Sequence, residues 1–166
     1  MIVLTRLTLG LAVSLVAAAP AMAEGQGFLE TIRHHSTLTS TVPDNGDLNP
    51  YAILVAPVSA GVIRQGDILI DNFNNQSNLQ GTGTTVVVYS PTTKKMTLFA
   101  KLPQKLEGCP GGIGLTTAMT MLKSGWVIVG STPSSDGTTK TRGTGCLIVL
   151  DANGKVAGTI AGPNIN

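Results

Sequence analysis

Aromatic residues make up only 4% of this 166-residue chain and charged residues 12%, and it has two histidines and two cysteines. So few aromatics leave any core to aliphatic side chains. Eleven basic and nine acidic residues give a formal charge of +2, which excludes the basic surface that nucleic acid or anionic lipid demands. No Gly-x-Ser-x-Gly elbow, phosphate-binding glycine loop or His-Glu-x-x-His pair occurs, so the common signatures of serine hydrolases, nucleotide-binding proteins and zinc proteases are missing. What the chain does have is 42% hydrophobic residues, 20 glycines and 9 prolines. That is too apolar for a disordered chain, and the bias to Thr, Val and Ile between turn residues predicts an all-β fold.

The first residues read as a leader. Arg6 gives a positive start, Leu7 to Ala18 is apolar, and Ala21-Met22-Ala23 is a small-x-small cleavage site, which together predict a signal peptide over 1–23. Pro20 ends the apolar run short of the roughly 20 residues of a membrane span. The expected location is secreted or periplasmic, with no membrane attachment once the leader is removed. In such a compartment Cys109 and Cys146 are expected to form a disulfide, since two cysteines with no nearby histidine lack the ligands of a zinc site.

The rest of the chain aligns with itself at a spacing of about sixty residues. Asn49-Pro50-Tyr51 opens the apolar run Ala52 to Pro57, and Cys109-Pro110-Gly111 opens Ile113 to Met121. Gly66-Asp67-Ile68-Leu69-Ile70 matches Gly125-Trp126-Val127-Ile128-Val129. Gly81-Thr82-Gly83, ahead of Val86 to Tyr89, returns as Gly143-Thr144-Gly145 ahead of Leu147 to Leu150, and Lys95 to Ala100 matches Lys155 to Ile160. Each repeat reads as four short strands joined by turns such as Ser90-Pro91-Thr92-Thr93 and Asp151-Ala152-Asn153-Gly154. A four-strand cassette repeated in order predicts four-stranded antiparallel β-propeller blades at 49–108 and 109–166, with 24–48 an N-terminal segment able to supply a ring-closing strand. An eight-stranded sandwich is the alternative. Because propellers close with about four to eight blades, two blades are an incomplete propeller, to be completed by further blades of a longer chain or by self-association.

Asn49-Pro50-Tyr51, the segment Gly66 to Asn75, the run Cys109 to Thr117 and Gly145 to Gly154 resemble secreted bacterial β-propellers related to NHL-repeat proteins. The resemblance covers most of 41–166. It implies a propeller of six or a similar number of blades, in a group whose relatives include sugar lactonases, lyases and protein-binding scaffolds.

Candidate sites are sparse. Asp71, Asn72 and Asn74 belong to a polar run read as a loop leaving the second strand, and their oxygens would suit Ca²⁺. Thr116, Thr117 and Thr120 fall on the inner strand of the second repeat, where hydroxyls could reach a ligand. Trp126 could offer a stacking platform to a carbohydrate. Adjacent His34 and His35 would point to opposite sides of an extended segment and cannot easily share an ion. The expected function is that of an exported, non-catalytic scaffold binding a protein or glycan through its loops. The alternative is a metal-assisted lactonase or lyase whose remaining ligands lie in other blades, a reading that puts Asp71 first among the carboxylates.

Overall fold

The computed structural model describes residues 27–165; the expected leader lies outside them. A 3-10 turn at Phe28–Thr31 belongs to a unit ending at Ser36, separate from the one that begins at Thr37. Both sheets lie in the second unit. His34 and His35 are exposed and on no regular element.

Eight strands follow: β1 (Leu48–Val55), β2 (Ile68–Asn74), β3 (Gln80–Ser90), β4 (Lys95–Lys101), β5 (Leu115–Met121), β6 (Val127–Ser131), β7 (Cys146–Leu150) and β8 (Val156–Ile160). They form two four-stranded antiparallel sheets, each with its strands side by side in chain order. The fold is therefore all-β, and among the described residues no helix is long and apolar enough to cross a membrane. Residues 32–47 form no strand, only a turn at Asp44 and Asn45.

Two strand boundaries differ from expectation. The polar run that begins at Asp71 does not leave the second strand as a loop, because β2 continues through Asn74. Asp and Asn are poor strand formers, but here each finds a partner: Asp71 takes the Ala52 amide, Asn72 donates to Thr41 O and Thr85 Oγ1, and Asn74 donates to Asn78. Likewise β1 starts at Leu48, ahead of the Asn49-Pro50 step. Proline is tolerated there because β1 is an edge strand whose ladder does not need that missing N–H.

Strand alternation gives each sheet two distinct faces. In the first sheet, cross-strand register places Ile53, Ile70, Val87 and Leu98 in one row and Leu54, Leu69, Val88 and Thr97 in the next, on the opposite face. In the second sheet the corresponding rows are Met119, Val129, Ile148 and Thr159, and Thr120, Ile128, Val149 and Gly158. One core joins the sheets, with Leu69, Val86 and Val88 from the first and Val127, Val129 and Ile148 from the second. The second sheet approaches the first chiefly through β5, which lies against β1, β2 and β3.

The link between the sheets is stapled. Cys109 and Cys146 form the expected disulfide, with Cα atoms 5.4 Å apart, which points away from a reducing cytosol. Cys146 stands at the start of β7 opposite Ser131, whose other neighbour is Leu115 on β5. The chain must therefore cross the end of β6 to bring Cys109 to β7, and it does so at Gly111. A Cβ there would stand 2.3 Å from the Thr144 carbonyl oxygen, so only glycine permits the approach. Thr159 Oγ1 on β8 donates to Glu107 O at 3.0 Å and pins the same crossing.

Candidate functional site

At the end of the sheets where β2 turns into β3 and β6 runs toward β7, the structure opens a cleft of about 250 Å³. The first sheet contributes Phe73 and Gln80, β5 contributes Thr116 and Thr117, and the β6–β7 connection contributes Thr138 and Arg142. These connections extend from rigid strands, an arrangement that places loop side chains precisely enough for recognition. The β6–β7 connection is ordered by its own hydrogen bonds: Ser134 Oγ accepts from Gly137 N at 2.9 Å, and Asp136 Oδ1 accepts from Thr138 N at 2.8 Å. Hydrogen bonds from Thr141 and Thr138 hold the Asp136 carboxyl below the usual carboxylate range.

Aromatic surface adjoins this cleft. The Tyr51 ring packs on Phe73 with centroids 4.8 Å apart and planes tilted by 41°, and Tyr51 is 48% exposed. The pair exists because β1 carries a bulge. Between Pro50 and Ile53, two residues of β1 oppose the single residue Asp71 of β2, and the bulge turns Tyr51 toward the Phe73 side.

Asp71 plugs that bulge from inside. Its Oδ1 accepts the Ala52 N–H at 2.9 Å, its side chain is fully buried, and Oδ2 finds no hydrogen-bond partner among the described residues. Burial drives its pKa up to about 7, against the lowering effect of the Ala52 and Tyr51 amides. Asn72 and Asn74 are buried as well, each with an Oδ1 that has no partner among the described residues. Alternation, however, puts them on the Ile70 face of the sheet, while Asp71 follows Leu69 into the shared core. The structure does not bring the three candidate Ca²⁺ ligands together. Among the described residues, no group of three or more His, Cys, Asp or Glu side chains is placed to hold a metal ion.

Thr116 and Thr117 do share the cleft, whereas Trp126 does not. Trp126 follows the β5–β6 turn at the other end of the second sheet, where it is 45% exposed. A second and wider cleft of about 700 Å³ is lined by Asn45, Asp47, Gln76, Thr84 and Lys101 among others. Its carboxylate is occupied: Asp47 Oδ2 accepts from Thr84 N at 2.8 Å, Thr84 Oγ1 at 3.0 Å and Thr85 Oγ1 at 2.9 Å.

Sequence reasoning did not single out Tyr51, Phe73, Arg142 or Asp47 as site or network residues. Tyr51 meets Phe73 only through a bulge, and Asp47 meets Thr84 across 37 residues. Neither contact leaves a local pattern. Arg142 did carry a signal, as a lone cation among glycines and threonines in a long connection. The chain matches no protein-family model and no curated protein.

Proposed function

We propose that the two sheets are consecutive blades of a propeller of the NHL-related kind and that the protein is an exported, non-catalytic module binding a glycan in the Phe73–Arg142 cleft. Several features support the blade reading. Each sheet is a meander in chain order, the strand cassette repeats without exchange of strands between sheets, and β5 makes most of the approach between them. A sandwich would spread that approach over more strands of both sheets.

The observation that carries the binding reading is the composition of the cleft beside the Tyr51–Phe73 pair. Sugars present hydroxyls on their edges and C–H groups on their faces, so they suit threonine, glutamine and arginine hydrogen-bonding groups next to an aromatic ring. The lactonase or lyase alternative needs convergent carboxylates. Asp71 and Asp47 each serve a backbone or threonine network instead, Asp71 at the β1 bulge and Asp47 at the Thr84–Thr85 step of β3.

Saccharide-array screening of the exported protein, followed by calorimetric titration of the best ligand, tests the proposal. Tyr51→Ala and Arg142→Ala should each weaken binding by about tenfold or more, the loss of one stacking or charge-assisted contact. Trp126→Ala should leave affinity unchanged. No saccharide binding, or binding lost only in Trp126→Ala, overturns the cleft assignment. Intact mass of the same material should place its N-terminus within a residue or two of Glu24, and retention of Met1 would contradict the leader.

A further inference from the structure

The wider cleft, of about 700 Å³, holds a carboxylate that the protein uses only in part. Asp47 is 3% exposed, yet its three hydrogen bonds, from Thr84 N, Thr84 Oγ1 and Thr85 Oγ1, all fall on Oδ2. Oδ1 has no hydrogen-bond or ion-pair partner among the described residues, and it is not sealed from solvent. A carboxylate buried to this degree ordinarily meets a cation or a full set of donors. Half of this one meets the cleft instead.

The turn that leads into Asp47 adds further acceptors. Gly46 N donates to Pro43 O at 2.9 Å, and this turn sets Asn45 and Asp47 together on the lining of the cleft. Asn45 Oδ1 is buried with no partner among the described residues. Gln76 folds over the turn between them: a Cβ on Gly46, whose φ is +78°, would stand 3.0 Å from the Gln76 Cβ and Cγ and 3.2 Å from its amide carbon. Glycine at 46 therefore lets the Gln76 amide lie against the turn, where it makes no side-chain hydrogen bond among the described residues.

Charge balance selects the ligand. Calcium takes about six to eight oxygen ligands and is held more tightly as their charge rises, but this cleft offers one carboxylate and also Lys101, which makes no ion pair among the described residues. A primary ammonium carries one charge and three N–H donors, a match for the oxygens of Asp47, Asn45 and Gln76. Lys101 then suits an anionic group elsewhere on the same ligand, and buried Leu102 and Ile113 add an apolar patch. We propose that this cleft binds a small zwitterion, a free amino acid or short peptide, with its ammonium on Asp47 Oδ1 and the Asn45 and Gln76 amide oxygens and its carboxylate on Lys101. The volume lies within the range of about 300–1,000 Å³ usual for small-molecule sites. None of these residues lines the Phe73–Arg142 cleft, so the site does not rest on glycan binding.

Calorimetric titration of the exported protein with leucine and glycyl-leucine, beside N-acetyl-leucine, 3-methylbutylamine and calcium chloride, tests the assignment. Leucine or glycyl-leucine should bind, and the tighter of the two identifies the source. N-acetyl-leucine, which lacks the charge and two of the three donors, should bind about tenfold or more weakly, and 3-methylbutylamine, which lacks the carboxylate, should also lose affinity. In Asp47→Asn the three donors on Oδ2 hold the asparagine oxygen in that place and turn its NH2 toward the ligand's ammonium. That variant should melt as a folded protein and bind neither compound. Gln76→Ala and Lys101→Met, at exposed positions, should each weaken binding about three- to tenfold, and they decide the matter if Asp47→Asn does not fold. Arg142→Ala should bind as the parent protein does. Failure of both leucine and glycyl-leucine to bind overturns the proposal. So does equal binding of N-acetyl-leucine, full affinity in Asp47→Asn or in both exposed variants, or calcium binding that Asp47→Asn abolishes.

Discussion

The two sheets solve the same local problem with different chemistry. Each inner strand carries a register shift near its start, and the equivalent amides of Ala52 and Ala118 fall at it without a ladder partner. In the first sheet the amide is satisfied across the strands, by buried Asp71 at 2.9 Å. In the second it is satisfied locally, by Thr116 Oγ1 at 3.3 Å, and the position equivalent to Asp71 is Gly130, where a Cβ would stand 2.5 Å from that same hydroxyl. The first shift faces the shared core, where an unsatisfied donor costs about 1–3 kcal/mol. The second faces outward, where a weak hydrogen bond is enough.

The contrast extends to what holds each sheet together. Of the eight buried polar residues among those described, seven lie between Asp47 and Thr85 and only Ser131 lies in the second sheet. The first sheet has strands of up to eleven residues tied by side-chain hydrogen bonds. In the second, β6, β7 and β8 have only five residues each, and the disulfide ties them to the incoming chain. A polar network thus takes in one sheet the role that a covalent link takes in the other.

Breaking the link in the second sheet should have the largest effect. The bridge spans a sequence separation of 37, and closing such a loop contributes about 3–4 kcal/mol by restricting the unfolded chain. The Cys109→Ala/Cys146→Ala double variant should therefore melt roughly 10 °C lower. Hydrogen exchange should show β5–β8 losing protection before β1–β4. Equal loss in both sheets would mean that they are not stabilised separately.

Removing a node of the first sheet's network should come next. Asp47→Ala strands the Thr84 amide and two hydroxyls, and should cost about 2–3 kcal/mol in denaturant unfolding. Asp71→Asn sharpens the comparison through pH, since asparagine keeps an acceptor for Ala52 but cannot ionise. The Asp71 pKa in the folded protein, about 7, lies above its unfolded value of 3.8. The native state therefore holds a proton that the unfolded chain has released between those values. Its stabilising contribution is full below that window and is lost as pH rises through about 7. Melting curves should show Asp71→Asn gaining on the parent protein from pH 4 to pH 8, with a flatter pH profile. A constant difference across that range would mean that Asp71 does not titrate there. Thr116→Val should be the mildest change, below about 1 kcal/mol, because its amide partner is exposed.

Much of this architecture was legible in the sequence, because turns and apolar runs are local. The segments of all eight strands followed from the repeat, and the disulfide followed from the expected compartment and the lack of a histidine beside either cysteine. The site was less legible, because its residues are placed by nonlocal events. The run Asp71 to Asn74 looks like a loop to any propensity scale, and only partners at Thr41, Ala52 and Thr85 draw it into a strand. The alternation that then separates Asp71 from Asn72 and Asn74 follows from that extension. Thr116 and Thr117 were identified as inner-strand hydroxyls, but Phe73 joins them only through the packing of one sheet on the other, and Arg142 only through the path of the long β6–β7 connection.

That packing of unlike faces is the central claim, and methyl–methyl nuclear Overhauser contacts within the protein test it most directly. The account predicts contacts from Leu69, Val86 and Val88 to Val127, Val129 and Ile148, with none from Ile128, Leu147 or Val149 to the first sheet. Contacts from Ile128 or Val149 to Leu69 or Val88 would contradict it.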